Sequence, residues 1–257
     1  KQFIKAQALT FRAYSYMMLS QLYCHRWCDS NNGSSRGLPL RIDLSTGELP
    51  TSTLAEVYGR IYEDLNEAIS NFTASELDRA SGDNYSPNLD VAYATYARAA
   101  LTREDWATAA RYAVLARANY PLMTNSEYVD GGFNTPNQEW IWSSYISKEL
   151  YDQIPETDVR KNMFLGPKEG ETYTTSTGRA SKGALYDRAM KDYADKIYST
   201  SYIFAYMQFK ILCADQPGIG QLNNFRSAEM YLIEAEANCH IGGKDAETQK
   251  LLVALNK

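Results

Sequence analysis

The sequence predicts a mainly α protein of packed helix pairs (α/α), with a loop-rich irregular region and minor β structure. Three observations predict it. Apolar residues recur at helical spacing from Phe3 to Tyr23, a run without Gly or Pro, and again behind Thr53 and Phe225. Alanines crowd two consecutive helical stretches between Leu89 and Tyr120. Between Met123 and Asn224, glycines and prolines break the chain into short mixed runs.

Composition agrees with a packed globule. The 257 residues are 44% hydrophobic and 22% charged, which excludes disorder, collagen and coiled coil. A chain of this size buries enough surface to need no disulfide or metal staple. The net charge of −5 leaves no basic footprint for nucleic acid. Tyrosine stands out, with 20 Tyr against 8 Phe and 4 Trp; its apolar face and hydroxyl suit half-wet surfaces. The apolar stretches, such as Tyr14 to Leu22, are interrupted well short of the ~20 residues that span a bilayer. The opening Lys-Gln-Phe-Ile and the mid-pattern stop at Leu251 to Lys257 raise the expectation of a chain incomplete at both ends.

The elements follow in order. Phe3, Ala6, Leu9 (or Thr10), Ala13, Tyr16, Met17, Ser20 and Tyr23 share one face of a long helix. Cys28 to Gly37 is a turn-rich loop, and Leu38 to Arg41 a short extended stretch. Thr53-Leu54-Ala55-Glu56 is a capping box, opening a helix whose stripe runs from Val57 to Phe72. A polar loop from Thr73 to Pro87 leads into a hairpin. Its first helix carries Val91 to Ala100, its turn is Thr102-Arg103-Glu104, and Asp105 opens the second helix, which Pro121 ends. Asp105-Trp106 with Ala109 and Ala116 is similar to the second helix of a tetratricopeptide repeat, so tetratricopeptide-like helix pairs are expected. Glu139 to Ser143 alternates like a brief strand, and a short helix is expected around Leu185 to Ile197. Phe225 to Ile241 forms a helix stopped by Gly242-Gly243, and Lys244 to Leu255 its partner. The chain therefore reads as one domain over 1–257, with a helical scaffold of 1–122 and 225–257 and an irregular binding region of 123–224.

Five stretches in this order resemble the SusD/RagB-type (SusD-like) outer-membrane nutrient-binding lipoproteins. They are Ala8 to Tyr16 with Leu22-Tyr23; Val57-Tyr58 with Ile61, Asp64, Leu65 and Ala68; Ala92 through Ala110; Asn137 to Trp142; and Phe225 to Ala237. The resemblance implies a cell-surface glycan-binding protein of a Bacteroidetes-type polysaccharide utilization system. Its helix pairs would pack on a SusC-like TonB-dependent transporter, to which it would deliver oligosaccharide. It implies an extracellular face of the outer membrane, a lipid anchor missing from this chain, and no enzyme activity. The family's opening helix and its late acidic helix, which should follow Lys257, are also missing. The alternatives are a tetratricopeptide-type scaffold for protein partners, which would repeat throughout, and an α/α glycoside hydrolase, which needs two facing carboxylates.

Sugar recognition requires a flat aromatic face for C–H stacking and planar amide or guanidinium donors. The resemblance points to the loop after the first helix, which offers Trp27, Asp29, Asn31, Asn32 and Arg36. The competing reading packs Trp27 on the helix end and uses the Asn pair for a turn. In the irregular region Tyr173, Tyr202 and Tyr206 are available for stacking. The expected ligand residues are thus Trp27, Asn31, Asn32, Arg36, Tyr173 and Tyr202. Arg12 is expected in a structural ion pair, Trp106 in a hairpin seam, and at least one of Trp140 and Trp142 in the core. Cys24 and Cys28 with Cys239 and His240 lack the spacing of a zinc site, so the thiols read as free, with no metal and no cofactor. No nucleophile–base motif or phosphate loop appears, and pairs such as Glu104/Asp105 and Glu234/Glu236 read as helix-surface charges.

Overall fold

The computed structural model describes residues 1–44, 46–129, 137–144, 152, 154–158, 161–162, 164–174, 179–194, 197, 203–207 and 222–255. They divide into two compact units. One comprises 1–122, 138–142 and 225–257; the other comprises 123–137 and 143–224.

The first unit is helical. Helices α1 (Gln2–Tyr23) and α2 (Leu54–Ser75) pack along each other, as do α3 (Leu89–Thr102) and α4 (Trp106–Arg117). Further along the chain α7 (Ser227–Ile241) packs on α4 and on α8 (Asp245–Ala254). The core follows the apolar stripes: Ala6, Ala13 and Met17 of α1 are wholly buried, as are Val57, Ile61, Leu65 and Ala68 of α2. Ala92, Ala99 and Ala100 of α3 and Ala109, Ala113 and Ala116 of α4 are buried too. Side chains this small bring the helix pair close, and Tyr96 and Tyr112 stack in its seam at 4.1 Å.

Capping decides where these helices begin. The expected capping box is present: Glu56 N–H donates to Thr53 Oγ1 (3.2 Å) and Thr53 N–H to Glu56 Oε2 (2.7 Å). Asp105 opens α4 by accepting from Thr108 N–H, as read from the sequence. Strands β1 (Arg36–Pro39) and β2 (Thr51–Thr53), the latter not anticipated, pair antiparallel just ahead of α2. A side chain at Gly37 would lie 2.6 Å from the Thr53 carbonyl, so this ribbon closes only around glycine.

The charged residues of the family-like stretches find one another. Arg12 donates from Nε and Nη2 to Asp64, each at 2.7 Å, and Arg60 Nη2 reaches the same carboxylate at 2.7 Å. Arg98 grips Glu229 through Nε (2.6 Å) and Nη2 (2.7 Å) while lying 3.9 Å over the Phe225 ring. Arg226 Nε stands 3.7 Å from Glu139 Oε1, and Glu139 also accepts from Ser227 and Ala228 N–H at the start of α7. The Arg12–Asp64 pair clips α1 to α2, and the Arg98–Glu229 pair clips α3 to α7.

Strands β3 (Trp140–Ser144) and β4 (Leu222–Arg226) form a second two-stranded sheet. Trp140 and Trp142 are both buried, and Trp142 Nε1 donates to the Tyr85 carbonyl at 2.7 Å.

In the second unit, helices α5 (Asn125–Val129) and α6 (Ala184–Asp192) accompany an isolated bridge between Arg179 and Phe204. Leu165, Ala180, Leu185, Ala189, Ile203 and Met207 make a separate small core. Arg188 binds both oxygens of Glu171 at 2.7 Å and the Gly166 carbonyl at 2.7 Å, tying the chain around it. The expected helix around Leu185 is α6, which ends at Asp192. Among the described residues no helix is long and apolar enough to cross a membrane.

Candidate functional site

The loop after α1 is built against the start of α2. Ser30 Oγ donates to the Trp27 carbonyl (2.5 Å) and accepts from Gly33 N–H (2.8 Å). Asn31, Asn32 and Gly33 then take three successive left-handed conformations, φ +50°, +54° and +78°, which Asn tolerates and Gly adopts freely. The turn aims two carbonyls at the first N–H groups of α2: Ser35 O accepts from Leu54 (2.9 Å) and Gly33 O from Ala55 (2.8 Å). With the capping box serving the Thr53 and Glu56 N–H groups, all four orphan donors of α2 are satisfied.

This anchoring fixes Trp27. Its indole is half-buried and edge-on to Tyr58, with ring centroids 5.5 Å apart. The Arg103 guanidinium sits 5.2 Å from its centre. A side chain at Gly33 would meet the indole at 2.7 Å, so ring and loop fit each other closely.

Beside Trp27 lies a hollow of about 450 Å³. The end of α1 and the following loop give it Gln21, His25, Arg26 and Trp27; the α3–α4 turn gives Glu104 and the start of α4 Trp106; α7 gives Glu236. A second hollow, about 340 Å³, is lined by Tyr23, Arg36, Leu38 and Thr51 and shares His25 with the first. Burial pushes the Cys24 thiol up, and desolvation together with the Glu104 carboxylate does the same for Cys28. Burial also raises the Tyr58 phenol, whose hydroxyl bonds Thr102 Oγ1 at 3.0 Å.

The expected residues are placed as follows. Trp27 lines the first hollow and Arg36 the second, where Arg36 Nη2 also reaches Thr51 Oγ1 at 3.4 Å. Asn31 and Asn32 are exposed and shape the turn, with Asn31 Nδ2 donating to Ser34 Oγ at 3.1 Å. Tyr173 belongs to the other unit, where its ring meets Tyr206 edge-on with hydroxyls 3.5 Å apart. Tyr202 lies outside the described residues. Arg12 is in its ion pair, as expected.

Sequence reasoning passed over Glu104, Trp106 and Glu236. Both acidic dipeptide-like pairs are split by the fold. Asp105 caps α4 and accepts from Tyr62 (3.2 Å), and Glu234 pairs with Arg117, whereas Glu104 and Glu236 line the hollow. The available signal was Glu104 itself: the residue after a helix end usually wants Gly, and here it is glutamate at φ +62°. Trp106 is half-buried and stacks on His240 at 3.8 Å, so one face lies in the helix seam while the side chain also borders the hollow. Among the described residues no three His, Cys, Asp or Glu side chains converge on a metal-sized site.

Comparison with known proteins bears on this arrangement. Residues 1–101 match the SusD-like family model described as "Starch-binding associating with outer membrane". A SusD-like carbohydrate-binding protein from Bacteroides vulgatus shares 23% identity and a TM-score of 0.61, over 99% of this chain and 54% of its own. A SusD superfamily protein from Bacteroides thetaiotaomicron shares 19% and 0.64, over 98% and 57%. Surface glycan-binding protein A from Bacteroides thetaiotaomicron, solved with laminarihexaose, shares 17% and 0.54, over 99% and 61%. No curated protein matches the chain. The chain spans a little over half the length of these structures. Residues 1–101 are thus similar to that family model, and the fold, mainly α as expected, is similar to that of these structures over nearly the whole chain.

Proposed function

We propose that this SusD-like chain is part of a cell-surface protein that binds oligosaccharide and delivers it to a SusC-like TonB-dependent transporter. The protein would sit on the outer face of the outer membrane and bind without turnover. One observation carries the reading: Trp27 is locked by its loop at the wall of a hollow whose lining also includes Gln21, Arg26, Glu104 and Glu236. An indole for C–H stacking beside amide, guanidinium and carboxylate groups is what a pyranose requires. The likeness to carbohydrate-binding structures supports it.

Affinity electrophoresis in native gels containing a panel of glycans tests the binding. Retardation by at least one glycan, lost in Trp27→Ala but retained in Trp27→Phe, is expected. A folded chain that no glycan retards would sink the reading. Delivery predicts co-isolation with a TonB-dependent transporter from outer membranes.

A second reading, a helix-pair scaffold for peptides, is favoured by one feature. Between α4, α7 and α8 runs a groove of about 580 Å³ with Ala107, Ala110, Val114 and Ile241 on its surface. Binding of peptides there with no glycan retardation would favour that scaffold.

A further inference from the structure

We infer that the hollow beside Trp27 selects neutral over acidic glycans, with Glu104 and Glu236 as acceptors, Arg26 as donor, Gln21 as both, and Trp106 as a second aromatic wall. This rests on the glycan reading above and deepens it.

The inference begins with the end of α3. Glu104 N–H donates to Leu101 O (3.0 Å) and Asp105 N–H to Ala100 O (2.9 Å), the paired closure of a Schellman turn. Its central residue must be left-handed, and Glu104 has φ +62°. Glycine would sit there without the steric penalty that a Cβ brings. The chain instead carries an exposed glutamate, and its side chain borders the hollow. Nothing in the hairpin requires a carboxylate: Asp105, not Glu104, caps α4.

The lining is divided by chemistry. Glu104 and Glu236, from the hairpin turn and α7, only accept hydrogen bonds; Arg26, from the loop after α1, only donates, and Gln21 does both. A sugar hydroxyl donates and accepts, so a neutral sugar satisfies both sides. A uronate or sulfate would bring a further anion against two carboxylates that face a single guanidinium. Like-charge juxtaposition suppresses wrong partners. The two indoles complete the site: Trp27 is held against Tyr58 and Gly33, and Trp106 is backed on one face by His240, the rings within 5° of parallel. A volume of about 450 Å³ lies within the ~300–1,000 Å³ typical of small-molecule sites, so a few sugar units rather than a long polymer run would occupy it.

The test uses the 257-residue chain in native gels with neutral polymers (laminarin, dextran, mannan) and an acidic one (polygalacturonate). Retardation by a neutral polymer alone is expected. Glu104→Gly is the informative variant: it should raise the melting temperature, because the backbone strain is relieved, yet weaken neutral-glycan binding about tenfold. The pair Glu104→Gln with Glu236→Gln should admit polygalacturonate. Equal retardation of the native chain by acidic and neutral polymers, or native affinity in Glu104→Gly, would overturn the inference while leaving glycan binding intact. No retardation by any polymer would overturn the glycan reading, and this inference with it.

Discussion

Arg12 of α1 and Asp64 of α2 form a two-point ion pair, both bonds 2.7 Å, and the Asp64 side chain is wholly shielded from water. The hydrogen bonds to Asp64 hold the Arg12 guanidinium above its ordinary pKa. A carboxylate buried at this depth is stable only while its partners remain.

Asp64→Asn should therefore cost on the order of 3 kcal/mol, since two guanidinium groups lose a shared anion between the helices. Chemical denaturation would measure it. A double-mutant cycle with Arg12→Met should return a coupling of about 1 kcal/mol or more; additive losses would show that the pair does not clip the helices.

Gly33→Ala is expected to displace Trp27 without deleting it. The new methyl would meet the indole at 2.7 Å and Ala55 at 2.8 Å, at a φ of +78°. The combined strain and overpacking should cost on the order of 3 kcal/mol. Thermal unfolding reads the loss of stability, and glycan retardation should fall with it.

Asp90 gives a pH prediction with a definite sign. Burial pushes its carboxyl above the ordinary value, against hydrogen bonds from Asn119 and Tyr120. Burial also lifts the Tyr120 phenol, to about 12. A raised folded-state pKa means that Asp90 favours folding at low pH, and that this contribution disappears as pH rises through the folded pKa. Asp90→Asn should accordingly raise the melting temperature at pH 7 and leave it nearly unchanged near pH 3.

The Glu171–Arg188 pair should act in the opposite direction. Arg188 hydrogen bonds hold Glu171 below the usual carboxylate range, so its stabilisation is present above the unfolded pKa and lost as pH falls through the folded one. Glu171→Gln should remove on the order of 3 kcal/mol at neutral pH by leaving Arg188 without its anion. Faster hydrogen exchange at the Leu165 and Ala180 amides, which bond Met207 and Ile203, would locate the effect in the second unit.

Much of the helical fold was legible because its signals are local. Thr53 and Glu56 stand three apart, as a capping box requires, and the Asp105 cap and the Gly242 stop lie beside the helices they bound. The alanine seam of α3 and α4 could be read from spacing alone. Strand β2 and the tryptophan seats were not legible. Gly37 reveals its role only once Thr53 lies against it, and both Trp140 and Trp142 are buried where periodicity required only one.

The sequence by itself determined the helix pairs, their caps, the SusD-like pattern and the loop that carries Trp27. Those rest on residues within a few positions of each other, where hydrogen-bond geometry and helical period leave little freedom. Only the tertiary structure decided which groups share the hollow. Gln21, Trp27, Glu104, Trp106 and Glu236 come from three segments that lie far apart in sequence, and no spacing rule relates them. It also separated lookalike charges, sending Asp105 to a helix cap and Glu104 to the hollow. The physical reason is the Schellman turn at the end of α3: one left-handed residue reverses the chain, turning neighbouring carboxylates to different tasks.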